Sequence, residues 1–180
     1  LDTESQSGPV GEKVTTKAKN ISGYTLVKKP EQENFTLTES LQTVNYYYAK
    51  NTTVTAKYVD EVTNEEIAER VTISGKFGDS YKTCKKTIED YDFTKVEGNV
   101  EGIMKGDPIN ITYYYRHKSK VTVNYIDKDT NEIIDKEQES FHEGDTYTSE
   151  ERKYEDYKLI EKPEKETVTI GKEDITLNYY

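Results

Sequence analysis

The stretch Val121-Thr122-Val123-Asn124-Tyr125-Ile126-Asp127, followed by Thr130-Asn131-Glu132 and Ile134, decides how this chain is organised. It repeats, 67 residues later, Val54-Thr55-Ala56-Lys57-Tyr58-Val59-Asp60 with Thr63-Asn64-Glu65 and Ile67. The match continues with a shift of one residue: Gly78-Asp79-Ser80-Tyr81 against Gly144-Asp145-Thr146-Tyr147, then Glu89-Asp90-Tyr91 against Glu155-Asp156-Tyr157. Both copies close on aromatic strands, Ile109-Asn110-Ile111-Thr112-Tyr113-Tyr114-Tyr115 and Ile175-Thr176-Leu177-Asn178-Tyr179-Tyr180. A fixed period of this length marks a repeat architecture. The first fifty residues read as the second half of the same unit, with Ile21-Ser22-Gly23-Tyr24 against Ile88-Glu89-Asp90-Tyr91 and Val44 to Tyr48 against Ile111 to Tyr115. The division expected is 1–50 (partial repeat), 51–116 and 117–180, with polar linkers at 49–53 and 116–120 that leave neighbouring units loosely free to pivot.

Within a unit, Val121, Val123 and Tyr125 alternate with Thr122 and Asn124, which is a strand with one apolar face. The polar run Asp127 to Glu132 then predicts a hairpin. The charged stretch 147–154 lacks alternation and fits either a short helical turn or an irregular crossover. Residues 157–161, 167–170 and 175–180 read as three further strands. The fold class is therefore mainly β, α+β at most: tandem small domains of β-grasp type, arranged as an elongated rod. Composition agrees. Leu, Ile, Val and Phe supply only 36 of 180 residues, while Tyr supplies 16 and Trp is absent. Tyr, Thr, Val and Ile suit a pleated, half-buried surface, and a Tyr ring buries a large apolar body while its hydroxyl seeks a partner.

Charge narrows the function. With 25 Lys and Arg against 35 Asp and Glu, the chain carries −10 at pH 7, which disfavours nucleic-acid binding, since phosphate recognition needs clustered cations. It equally disfavours docking on anionic lipid. No apolar run nears the roughly 20 residues that span a bilayer, and the opening Leu1-Asp2-Thr3-Glu4-Ser5 is not a signal peptide. No cofactor and no metal are expected: two His and one Cys are too few for zinc. The run from Asp127 to Glu132 has calcium-loop oxygen spacing but Glu at the sixth position, and its sister copy has Val62 in place of Asp129, so a solvated turn is the better reading. Cys84 lacks a companion base, because neither His117 nor His142 recurs in a sister repeat. A Lys57–Asn110 isopeptide cross-link fails on the same comparison, with Asn124 and Thr176 as the counterparts. Carboxylates are plentiful, but nothing singles out a catalytic pair. No enzyme is expected.

Taken together, V-T-V-x-Y-[VI]-D, x-N-E-x-I, G-D-x-Y, Y-x-[LF] and a closing [VIL]-x-Y-Y-Y resemble the MucBP (mucin-binding protein) repeat, and Gly23-Tyr24-Thr25-Leu26-Val27 fits its G-Y-x-L-V strand. That repeat occurs in wall-anchored surface proteins of Gram-positive bacteria such as lactobacilli, listeriae and clostridia. The resemblance implies a ubiquitin-like, β-rich fold, an extracellular, cell wall-anchored location, and either adhesion to host mucin or other glycans or a spacer role in a monomeric array. Sequons at Asn20, Asn34, Asn51 and Asn110 would matter only in a eukaryotic secretory pathway. The candidate glycan contacts are Tyr47, Tyr114 and Tyr180, which fall on the strand face opposite Tyr113 and Tyr115 and could stack on sugars. The competing reading packs them against the crossover or a neighbouring repeat. Weak binding per repeat would gain from avidity; the alternative is a stalk that projects a distal ligand-binding domain.

Overall fold

The computed structural model describes residues 2–180; Leu1, the first residue of the expected 1–50 unit, lies outside the described residues. The strands in chain order are β1 (Lys13–Thr15), β2 (Tyr24–Lys28), β3 (Asn34–Thr36), β4 (Tyr47–Asp60), β5 (Glu66–Lys76), β6 (Ser80–Lys82) and β7 (Tyr91–Glu97). They continue with β8 (Glu101–Ile103), β9 (Ile109–Ile126), β10 (Ile133–His142), β11 (Thr146–Thr148), β12 (Thr167–Thr169) and β13 (Ile175–Tyr179). Among the described residues there is no helix, so the chain is all-β. The charged stretch after Tyr147 is an irregular crossover and not a helical turn. Residues 157–161 form no ladder strand either; Ile160 and Glu161 only exchange backbone bonds with Tyr180.

The chain divides into two compact units, one of Leu1–Thr55, Thr72–Lys82 and Val100–Ile109, the other of Ala56–Val71, Thr83–Asn99 and Asn110–Tyr180. The division falls inside the middle repeat. In the first unit β2 pairs antiparallel with the start of β4, Leu26 opposite Tyr48, while β1 pairs with β3 and β6 with β8. Val54 and Met104 are buried there. Gly75 makes room for Met104, since a Cβ at that glycine would stand 2.6 Å from the sulfur.

In the second unit, β9 has different neighbours along its two halves. Its first half lies between β7 and β4. Its second half lies between β10, antiparallel, and β13, parallel, with Ile175 opposite Val121 and Tyr179 opposite Tyr125. A first strand flanked by its hairpin partner and by a parallel last strand is the strand order of a β-grasp sheet. Val121, Val123, Tyr125, Ile170, Leu177 and Tyr179 form the core of this half, with Phe141 and Tyr147 packed on it. Hairpin β9–β10 turns through Asn131 at φ 59°, as β4–β5 does through Asn64 at φ 60°; Asn tolerates this left-handed conformation better than most residues.

The segments expected as linkers are strand. Residues 49–53 lie within β4 and residues 116–120 within β9. Their polar runs mislead at the level of sequence because the groups that hold them lie far away along the chain. In the second unit the Lys118 amide donates to Asp90 O (2.8 Å), Ser119 Oγ to Gly171 O (2.7 Å), and the Lys120 amide to Asp174 Oδ1 (2.8 Å).

Buried tyrosines explain how a Leu-poor chain holds its crossovers without a helix. Tyr58 and Tyr113 stack at 5.4 Å, and Tyr125 and Tyr179 do the same at 5.4 Å. Each hydroxyl then reaches the crossover. Tyr58 donates to Cys84 O (3.1 Å), Tyr125 to Glu150 O (2.8 Å), and Tyr113 and Tyr179 share hydrogen bonds of 2.8 Å with Thr83 and Ser149. The first repeat does the same with Tyr46 on Thr16 (2.9 Å) and Tyr48 on Lys19 O (2.7 Å). Only the carbonyl of Cys84 is used, which is why Glu serves in its place at position 150. Tyr125→Phe removes one such hydroxyl and should cost about 1 kcal/mol in urea unfolding, whereas Tyr180→Phe should stay within about 0.5 kcal/mol. Equal effects would contradict this account of the crossovers.

Candidate functional site

The two junctions between repeats are built on the same backbone bonds and differ in their side chains. At the first, Phe77 N donates to Lys50 O (2.7 Å) and Gly78 N to Met104 O (2.9 Å). At the second, Glu143 N donates to His117 O (2.8 Å) and Gly144 N to Ile170 O (2.8 Å). These equivalences pair Ala49 with Arg116 and Phe77 with Glu143.

The second junction is filled by charge. The Arg116 guanidinium donates to Glu143 O and to Asp145 Oδ1 (3.0 Å). Asp92 takes Lys118 (3.1 Å) and His142 (3.0 Å) on its two oxygens, and His117 meets the Tyr91 ring edge-on at 5.0 Å. Deepest lies Asp60, fully buried, whose Oδ1 accepts the amides of Val62 (2.8 Å) and Thr63 (3.3 Å). Its Oδ2 accepts Lys172 Nζ (2.7 Å) and Tyr91 OH (3.3 Å). Burial alone would raise the Asp60 carboxyl, but the Lys172 ammonium and the two amides outweigh it and hold it below its ordinary value. Lys172 is correspondingly held above the usual lysine range by Asp60. Lys118 first, then His142, depress Asp92 as well.

The first junction is open. Ala49 cannot reach where Arg116 reaches, and a cleft of about 580 Å³ remains, lined by Val27, Tyr47, Ala49, Lys50, Phe77 and Lys105 among others. Phe77 is 59% exposed, Tyr47 51% and Val27 49%, an apolar grouping on an otherwise highly charged surface. Lys50 is paired with Asp107 (3.1 Å), and Lys28 stands 5.7 Å from the centre of the Tyr47 ring.

The three tyrosines expected to touch glycans thus occupy different surroundings. Tyr47 opens onto the cleft. Tyr114 is half-buried, donates its hydroxyl to Glu97 (3.0 Å), and has Lys95 Nζ 4.9 Å from its ring centre. Tyr180, also half-buried, has Lys128 Nζ at 4.2 Å. Both lysines are held by carboxylates, Lys95 by Glu61 (2.8 Å) and Lys128 by Glu161 (2.7 Å). Glu61 and Lys128 are sister positions, as are Lys95 and Glu161, so the pair is reversed between repeats and a lysine still covers the tyrosine. That reversal is visible in the aligned repeats and is the signal that could have located these contacts beforehand. Among the described residues no group of three His, Cys, Asp or Glu side chains is arranged to hold a metal. Asp127 Oδ1 instead caps the amides of Asp129 (2.8 Å) and Thr130 (3.2 Å), and Lys57 lies 3.7 Å from Glu66.

Strand order, repeat period and tyrosine-anchored crossovers define a tandem all-β repeat region. Residues 1–49, 53–116 and 120–180 each match the MucBP domain, and the chain belongs to that family. It is 34% identical over 186 residues to Internalin J of Listeria monocytogenes serovar 1/2a, and 33% identical to Internalin J of a serotype 4b strain. Each alignment covers 98% of this chain, which spans 22% and 20% of those relatives. Among solved structures, SHIRT domains 3-4 from a cell surface protein and Mub-RV align over 71% of this chain and 95% and 97% of theirs, at 10% and 14% identity. Both likenesses have a TM-score of 0.27, too slight to bear on fold or function.

The depressed Asp60 fixes the sign of a pH effect. Its pairing contributes stability above the unfolded value of 3.8 and loses it as pH falls through the lower folded value. Asp60→Asn should cost about 2 kcal/mol at pH 7, short of the full penalty for a broken buried pair because Lys172 reaches solvent. The melting-temperature gap to the parent should narrow as pH falls below 3.8. A gap that is constant with pH would contradict the pairing.

Proposed function

We propose that this chain is a non-enzymatic repeat region of a cell-surface adhesin of a Gram-positive bacterium, extracellular and anchored to the cell wall, which holds host mucin or other glycans weakly per repeat. Family membership points to adhesion. The observation that carries the reading is the open cleft at the first junction. Two exposed aromatic side chains, Tyr47 and Phe77, flank it with lysines at the rim. An aromatic ring packs on the apolar face of a sugar, and the Tyr hydroxyl offers a hydrogen bond in the same rigid group. Lys28 and Lys105 bring positive charge to this cleft within a chain of −10, which offsets the repulsion an acidic glycan would otherwise meet. Tyr114 and Tyr180 are secondary contacts in this reading, since a lysine already covers a face of each ring. Avidity across copies converts weak sites into useful adhesion.

A second reading, a spacer that lifts a distal ligand-binding domain, is favoured by residues 116–120, where strand replaces a flexible link. Binding to immobilised mucin and a glycan array, with the chain clustered on beads, separates the two. The chain's own second junction supplies the design of the test: Ala49→Arg should plug the cleft as Arg116 does. Ala49→Arg and Tyr47→Ser should each weaken binding about tenfold, equivalent to roughly 1.4 kcal/mol, while Tyr114→Ser and Tyr180→Ser change it less. Absence of binding by the folded, clustered parent would leave the spacer as the function.

A further inference from the structure

The third repeat begins in the second half of β9 and ends in β13, and these two strands are immediate neighbours. They run parallel, in register from Ile175 opposite Val121 to Tyr179 opposite Tyr125. Tension applied to the two ends of such a repeat pulls adjacent strands in opposite directions along their common axis. The ladder bonds then lie across the load and must yield together. Were the same strands pulled apart from one end, the bonds would open one after another.

Side chains reinforce this pair where the load falls. Tyr125 and Tyr179 stack at 5.4 Å with 17° between ring planes. Asn124 Nδ2 donates across the pair to Asn178 Oδ1 (3.0 Å). Val121, Val123 and Leu177 are buried beneath it. The middle repeat has the same ring stacking between neighbouring strands β4 and β9, with Tyr58 and Tyr113 at 5.4 Å and Glu61 N donating to Tyr115 O (2.8 Å). Between the middle and third repeats, load entering β9 meets no slack. Residues 116–120 are strand, fixed by Asp90, Gly171 and Asp174 and by the Arg116–Asp145 pair.

We infer that the parallel β9–β13 pair is a mechanical clamp, and that the chain has a load-bearing function: it sustains tension between its two ends whether the ligand sits on these repeats or beyond them. Resistance to forced unfolding is governed by the unfolding rate along the pulled direction and not by equilibrium stability. The clamp therefore makes a directional prediction that stability alone does not.

Single-molecule pulling of the whole chain tests it, in a Cys84→Ser background so that attachment is unique. One arrangement holds the N and C termini. The other holds Asp129→Cys, on the exposed β9–β10 turn, and the C terminus, so that both handles load the same end of the β9–β13 pair. Urea unfolding of the two proteins establishes that their equilibrium stabilities match. At one loading rate, the rupture that unfolds the third repeat, recognised by the contour length each arrangement releases, should need several-fold more force in the end-to-end arrangement. Equal rupture forces in the two arrangements would overturn the clamp.

Discussion

Much of the second unit depends on the fact that β9 does not stop at Tyr115. One continuous strand of 18 residues serves as the closing strand of one repeat and the opening strand of the next. Its first half takes β7 and β4 as neighbours and its second half takes β10 and β13. A backbone segment committed on both flanks cannot turn or coil in between without orphaning amides and carbonyls. The side chains at 116–120 are fixed by the same constraint. Alternation continues through the junction, which places Ser119 inside at 2% exposure and sends Arg116 toward Asp145, on the loop after β10, and Lys118 toward Asp92, on β7.

Tyrosine is the second element of the account. A chain with so few Leu and Phe residues buries little aliphatic surface, and domains of this size are marginal even with ordinary cores. Tyr supplies area and a directed bond at once. Because the stacked pairs point their hydroxyls at the crossover, one residue both fills the core and fixes an irregular segment that otherwise has only short strands to hold it. The side chain at position 84 or 150 is then free to change, since the bond is to its carbonyl.

The repeat, the hairpins, the closing strands and the inward tyrosines were legible because a period of two and a fixed spacing survive in sequence. Residues 116–120 were not. A polar run is the ordinary mark of a linker, and nothing local distinguishes it from a strand whose polar groups find partners in another part of the chain. The stretch after Tyr147 was open between helix and crossover for a similar reason: its fate is set by Tyr125 and Tyr179, which lie far away in sequence. The candidate site was half legible. Tyr47 could be placed on the outward face, but its difference from Tyr114 and Tyr180 comes from neighbours. The cleft itself follows from two exchanges between aligned positions, Ala49 for Arg116 and Phe77 for Glu143, whose joint effect appears only once the fold brings those positions together.

The spacer role and the resistance to tension proposed above both require junctions that are strand and not hinge. Amide hydrogen exchange across residues 116–120 tests that point most directly, with the Lys118 amide, 2.8 Å from Asp90 O, as the key probe. Protection there comparable to that of Val121 and Val123 is the result expected of a continuous strand. Exchange as fast as that of the exposed loop at residues 29–33 would contradict it, and would return 116–120 to being a flexible link.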